Sequence, residues 1–239
     1  MEFNLEELAN VNEKGAPKDG KPQLLDKRLF VQLLVFGGVK DSKPLINELE
    51  KSGIESVLYE DLNDPSSIGL LTMSEEPDFF TTKLRKFINE SSFSSLCIKP
   101  EYAMFGRTYS LGHERDLEDW LLRRVRRVTR NPMWKWAVWY PLRRKGSFAL
   151  LPPKEQGEIL MEHGAIGRAF GEKDLGHDVR LTSYGLDKND NDFTIGLIGK
   201  DLHPLSLLVQ TMRKTKQTST YIEKMGPFFV GKVVYQSGV

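Results

Sequence analysis

The chain contains one cysteine, Cys97, in 239 residues. An intrachain disulfide is therefore impossible, and a cysteine-built metal cluster is excluded. Excess charge of either sign is also missing. Lys and Arg number 34 against 33 acidic residues, a formal charge of +1. That balance gives no reason to expect nucleic acid or another bulk polyanion as partner, and it leaves self-association unopposed. No apolar run reaches the length of a membrane span. The start is acidic from its second residue and lacks an apolar core segment, so it does not read as a secretory signal. These absences together point to a reducing cytoplasm. The sequence also lacks a glycine-rich phosphate loop, His-Glu-x-x-His, Gly-x-Ser-x-Gly and zinc-ligand spacing.

What is present is regular order. Residues 1–23 are polar, carry Gly15, Pro17, Gly20 and Pro22, and read as a loosely held leader with a short helix conceivable at Leu5–Leu8. Order starts with an apolar strand over Leu29–Phe36. A helix follows, with Ser42 as N-cap, Pro44 in its first turn and Gly53 as its stop. Strands at Ile54–Glu60 and Ser67–Met73, a helix from Pro77 and a strand at Leu96–Tyr109 complete β-α-β-β-α-β. A connector helix from Glu114 to Val128 leads into a second set. Its strands are Trp134–Tyr140, Asp178–Tyr184, Phe193–Ile198 and Pro227–Tyr235, and its helices Pro153–Phe170 and Pro204–Lys214. An ungapped offset of 127 residues places Ile68-Gly-Leu-Leu71 on Ile195-Gly-Leu-Ile198 and Pro77 on Pro204. The coincidence of a strand end with a helix-starting proline makes this an internal repeat. Each unit leaves one sheet face uncovered, which predicts an α+β, barrel-type pair of sheets with helices outside. The expected divisions are a leader at 1–23, units at 24–112 and 134–239, and a connector at 113–133.

His163 stands out among the four histidines. Ile159, His163, Ile166 and Phe170 follow i, i+4, i+7 and i+11, so the imidazole joins the apolar stripe of its helix. Gly164 and Gly167 beside it are costly in a helix interior, which suggests close approach of another group. Periodicity alone leaves two readings open: a core histidine bonded to a carbonyl, or an axial iron ligand. Arg143, Arg144 and Lys145 follow the aromatic strand directly, a combination suited to a flat apolar ligand with carboxylate arms. The arginines of the connector, Arg126 among them, read by default as a solvated face. Tyr140 is the candidate for redox or proton transfer, against the alternative of a core aromatic. The run Asp187–Asp192 has some likeness to a calcium loop but lacks its glycine and terminal glutamate, and it reads as a solvated turn.

In Trp139-Tyr-Pro-Leu142, Leu160-Met-Glu-His-Gly-Ala-Ile-Gly-Arg168, Ser183-Tyr-Gly-Leu-Asp187, Leu208-Val-Gln-Thr-Met-Arg213 and Tyr221 through Phe229-Val-Gly231, the chain resembles the chlorite dismutase / coproheme decarboxylase family. The resemblance runs over about 29–233 and is densest in the second unit. It implies tandem ferredoxin-like βαββαβ repeats, a homopentamer, and heme b or coproheme held by the second unit. His163 matches the proximal iron ligand, Tyr140 the decarboxylases' relay tyrosine and Arg144 the lysine beyond it. Arg126 falls near a propionate-holding arginine, and Thr218 matches a propionate-contacting serine. Two departures follow from the same comparison. The distal arginine position is Asp178, with Arg180 two residues on, and the glutamate behind the proximal histidine is Ile198. Both argue against efficient chlorite breakdown. The resemblance implies a heme-binding oxidoreductase, peroxidase-like at most, acting with a small oxidant such as peroxide. A coproheme decarboxylase and a non-catalytic porphyrin-binding protein are the alternatives.

Overall fold

The structure is a computed structural model and describes residues 9–238; the helix conceived at 5–8 lies outside the described residues. A hairpin opens the described chain, β1 (Glu13–Lys18) with β2 (Lys21–Leu25), where a loose leader was expected. Asp19 and Gly20 both take positive φ, 51° and 74°, the conformation a tight two-residue hairpin turn requires. The hairpin is tied down from outside. Ala16 N–H donates to Glu114 O at 3.0 Å, and Gln23 Nε2 reaches the carbonyls of Glu114 and Arg115.

The first half then runs β3 (Phe30–Gly37), α1 (Lys43–Ser52), β4 (Ser56–Asp61), β5 (Ser67–Ser74), α2 (Asp78–Thr81), α3 (Lys83–Glu90), β6 (Cys97–Ile98) and β7 (Met104–Arg107). Gly53 ends α1 with φ 61°, a left-handed cap that a side chain would strain. A π-type turn, Asp119–Arg123, and α4 (Arg124–Thr129) form the connector. The second half runs β8 (Trp136–Arg144), α5 (Pro153–Glu172), β9 (His177–Thr182), β10 (Phe193–Gly199), α6 (Leu202–Met212), β11 (Ile222–Met225) and β12 (Phe229–Gln236).

The repeat holds at the level of register. In the first half β5 lies between β3 and β4, and in the second β10 lies between β8 and β9. Ile68 stands opposite Phe36 and Glu60; Ile195 stands opposite Tyr140 and Arg180. The shared Ile-Gly-Leu has a packing reason. A Cβ on Gly69 would fall 2.4 Å from the Phe229 ring, and one on Gly196 2.6 Å from the Trp139 ring. Each glycine makes room for an aromatic ring.

The barrel-type arrangement is not what the strands make. Their pairings build one continuous, ten-stranded antiparallel sheet, β10-β9-β7-β3-β5-β4-β12-β8-β11 with β6 on β3, and the ring they trace is not a barrel. The halves meet edge to edge. β12 pairs with β4 from Gly231↔Asp61 to Gln236↔Val57, whereas β7 and β9 touch at the single pair Arg107↔Thr182. Unpaired edges are costly, and the two halves satisfy theirs on each other. One sheet face carries a core common to both halves, with Leu33, Val35, Tyr59, Leu71, Trp139, Val179, Ile198 and Phe229. On the opposite face each half has a cluster of its own beneath its own helices. Among the described residues no helix is long and apolar enough to cross a membrane.

Candidate functional site

The candidate site lies on the helix-covered face of the second half. Strand alternation sends Val138, Tyr140, Leu142 and Arg144 of β8 to that face and Trp139 to the common core. Directly opposed residues of antiparallel strands share a face, so two rows cross the sheet: Tyr140–Ile195–Arg180 and Val138–Leu197–Asp178. Over them lies α5, started by Pro153 in its first turn, with Ile159 buried and Ile166 and Phe170 packed into the same cluster as Tyr140.

His163 is partly buried on that stripe. Burial first, then the Arg180 and Arg144 guanidinium groups, push its pKa down to about 4. The imidazole is therefore neutral at pH 7. Its Nδ1 lies 3.4 Å from Thr215 Oγ1, and among the described residues nothing is hydrogen-bonded to Nε2. The glycines beside it are not crowded by the chain: a Cβ at Gly164 would meet nothing within 4 Å, and one at Gly167 only Met212 Cε at 3.7 Å.

Two arginines differ sharply in how they are neutralised. Arg180 Nε pairs with Asp178 Oδ2 at 2.8 Å, and Arg124 Nη2 pairs with Asp178 Oδ1 at 2.8 Å. Both guanidinium groups flank the Trp120 ring, at 5.4 and 4.7 Å. Burial opposes the Asp178 charge, but the two arginines overcome it and hold the carboxyl below its ordinary range. Arg144 instead lies over the Phe148 and Phe193 rings at 4.4 and 4.9 Å, with no carboxylate in ion-pair range among the described residues and Nε without a partner. Burial lowers its pKa. Tyr140 stacks on Phe228 at 4.6 Å, and burial, with Asp178 nearby, raises its pKa, so it stays a phenol.

Not every expected residue arrives. Arg126 is spent in the connector. Its Nε donates to Glu55 at 2.9 and 3.0 Å, its Nη1 to Glu75 at 3.0 Å and to Leu122 O at 2.7 Å. Ile198 points into the common core, because alternation along β10 gives the helix-covered face to Ile195 and Leu197. Thr218 does come near, its N–H 3.4 Å from Thr215 Oγ1. Tyr109, Trp120, Arg124 and Thr215 belong to the site's surroundings without having been singled out. Tyr109, beside Phe193 at 6.0 Å, comes from the first half, and no local pattern marks it. The Asp187–Asp192 turn is closed by internal bonds, Asp187 and Asn191 being buried rather than solvated. No group of three or more His, Cys, Asp or Glu side chains able to hold a metal occurs among the described residues. Clefts of about 200 and 320 Å³ lie elsewhere, beside Met104 and Asp187 and beside Arg28 and Glu75, so the site is defined by its side chains.

Comparison with known proteins bears on the fold and the family. The chlorite dismutase family model matches residues 69–234, well over half of the chain. A heme-binding protein from Thermus thermophilus superposes with a TM-score of 0.66 at 20% identity, covering 87% of this chain and 92% of its own. Chlorite dismutase from Candidatus Nitrospira defluvii in complex with imidazole gives 0.67 at 14% identity, over 88% and 93%. At such identities the likeness is one of fold. Coproheme decarboxylase from Thermus thermophilus is 32% identical over 111 residues, 45% of this chain; the match spans 43% of that relative's length. With the family model matching from β5 of the first half into β12 of the second, and the same fold found in these structures, the chain belongs to the chlorite dismutase family.

Proposed function

We propose that this chain binds an iron porphyrin, heme b or coproheme, on the helix-covered face of its second half, with His163 Nε2 as axial ligand. The observation that carries the reading is a neutral, partly buried imidazole within electrostatic reach of Arg180 and of Arg144, whose Nε has no hydrogen-bond partner among the described residues. Those residues fit the group. An axial nitrogen must be unprotonated, a flat macrocycle needs an apolar floor such as Leu142 and Ile195, and carboxylate arms need a cation such as Arg144. Thr218 stands in the turn next to Thr215, within reach of the same edge.

Bound iron would supply peroxide-dependent redox chemistry. The chain's part is to hold, shield and move protons. Tyr140, a phenol kept protonated by burial, holds a transferable proton at Oη. Asp178 neutralises Arg180 at ion-pair distance without taking up its Nε–H in a hydrogen bond, which weakens the field that arginine offers an oxyanion. The activity is accordingly that of a peroxidase-like oxidoreductase, with little oxygen evolved from chlorite. Decarboxylation of coproheme is the second reading, favoured by the matched coproheme decarboxylase and by Tyr140. If Asp178 silences the distal side altogether, the protein binds porphyrin without turnover. We place it in the cytoplasm as a homo-oligomer, a pentamer by analogy with the family; light scattering at about the monomer mass of 27.3 kDa at micromolar protein would overturn that.

The test is titration of wild type and His163→Ala with ferric heme and with ferric coproheme, read by optical and spin-resonance spectra. Loss of affinity and of the histidine signature in the variant is expected. Identical affinity and identical axial signature in both proteins overturn the ligand assignment.

A further inference from the structure

Thr215 is buried in the turn between α6 and the wide π-type turn at Gln217–Tyr221, and it is the only described side chain bonded to the His163 ring. A hydroxyl has one proton and two lone pairs. Two oxygens compete for the proton, Met212 O at 2.8 Å and Thr218 Oγ1 at 3.4 Å, and the shorter contact decides. Thr215 Oγ1 lies 2.8 Å from Met212 O, a carbonyl that can only accept, so the proton goes there. The Thr218 N–H, which can only donate, takes one lone pair at 3.4 Å. His163 Nδ1, also at 3.4 Å, faces the remaining lone pair. Sharing the hydroxyl proton with Nδ1 instead would exchange a 2.8 Å bond for a 3.4 Å one, the less favourable choice on distance.

We propose that Thr215 is a positioning residue that fixes His163 as its Nδ1–H tautomer, leaving the Nε2 lone pair free for a Lewis-acidic centre. This rests on the reading of His163 as axial ligand but makes a separate claim about the protein without any porphyrin. The position behind a ligating imidazole sets both its orientation and its basicity. Here it holds a neutral hydroxyl, since Ile198 points away into the common core. A hydroxyl accepts the Nδ1 proton without drawing it off, so the imidazole stays a neutral donor and not an imidazolate-like one. The device also explains why a histidine stands on this stripe without a carbonyl or carboxylate partner.

The experiment is nitrogen-15 NMR of the His163 ring in the porphyrin-free full chain, for wild type, Thr215→Val and Thr215→Ser, with amide spectra confirming the fold. Wild type and Thr215→Ser are expected to show a protonated Nδ1 and an unprotonated Nε2 near neutral pH. Thr215→Val should shift toward the Nε2–H form that isolated histidine favours. Ferric heme affinity should fall roughly 10-fold or more in Thr215→Val and recover in Thr215→Ser, the range for loss of a partner behind a metal-bound histidine. A wild-type ring protonated at Nε2 overturns the proposal outright, even if Thr215→Val fails to fold. So does an unchanged tautomer in Thr215→Val. If the tautomer behaves as stated but His163→Ala binds ferric heme like wild type, the tautomer assignment stands and the ligand reading alone fails.

Discussion

The two halves carry the same strands in the same order, and the comparison between them sets the candidate site apart. Where Ile68 is flanked by Phe36 and Glu60, Ile195 is flanked by Tyr140 and Arg180; where Leu70 faces Leu58, Leu197 faces Asp178. The first half seals this face. Phe36, Leu45, Leu49, Ile54, Leu58, Ile68, Leu70, Leu84 and Phe93 are all buried beneath α1 and α3. The second half covers the equivalent face with α6, whose Leu205 and Leu208 are buried, and with α5, twenty residues of which Ile159 alone is buried, and it places ionisable groups there. One scaffold thus appears twice, once as a packed core and once as the candidate site. The difference lies in a few inward positions, which is where function is grafted onto a fold.

The sharpest way to test this contrast is to open the sealed face. Phe93, in edge contact with Phe36 at 5.1 Å, has 1% of its surface exposed. Phe93→Ala is expected to cost about 3–5 kcal/mol in urea unfolding. Phe193→Ala, on a part-exposed ring of the second half, should cost no more than about half of that. Equal losses would mean that the second face is packed as tightly as the first.

The second expected effect is of pH on the porphyrin-free protein. His163 has a folded pKa of about 4 against an ordinary value of 6.5. The unfolded chain therefore binds more protons between these values, so stability is fully present above about pH 6.5 and is lost as pH falls toward 4. The loss from this group reaches at most about 3 kcal/mol. Urea midpoints of wild type and His163→Leu, followed from about pH 7.5 down to about pH 4.5, should differ in slope with pH. Parallel behaviour would mean that the imidazole is solvated.

A third effect is smaller and concerns the connector. Arg126 is bound to Glu55 and Glu75, and Arg130 Nη2 reaches the same Glu55 at 2.9 Å. Arg126→Met should cost roughly 1–3 kcal/mol of stability, the scale of a partly buried charged hydrogen bond. Its ferric heme affinity should stay within about twofold of wild type. A tenfold loss of affinity would return Arg126 to the ligand site.

Much of this was legible in the sequence, for definable reasons. Proline and glycine punctuation, alternation along β8 and the 127-residue offset gave the element order, because each is a local consequence of backbone geometry. The stripe through Ile159, His163, Ile166 and Phe170 marked the histidine. The hairpin was missed although its turn, Asp19-Gly20, was present, because the flanks Glu13–Lys18 and Lys21–Leu25 lack alternating apolar residues. Edge-to-edge fusion of the halves leaves no local trace, so the sheets were expected to stack as a barrel. The facing of Ile198 depends on the parity of β10, and the engagement of Arg126 depends on glutamates far away in sequence. Thr215 meets His163 across 52 residues, which no spacing rule anticipates.

The smallest expected effect has the opposite sign and probes the second face most directly. Arg144 holds a charge with no carboxylate in ion-pair range among the described residues, Asp192 accepting only from its backbone N–H, and it is supported by two aromatic rings. Cation–π contact returns about 0.5–2 kcal/mol, while burying a charge without a full set of partners costs several. The lowered pKa records the same imbalance, since burial is its largest cause. Removing the charge while keeping the volume should therefore relieve the protein. Arg144→Met is expected to raise the urea midpoint of the porphyrin-free chain by the equivalent of about 1 kcal/mol, with the denaturant slope unchanged. The same substitution should weaken ferric heme or coproheme, because the carboxylate arms lose their cation. The first half offers the control: Phe36→Met, in the sealed face, has no charge to relieve and should only destabilise. If Arg144→Met destabilises as Phe36→Met does, Arg144 is a packing residue. The two faces would then differ in composition but not in purpose.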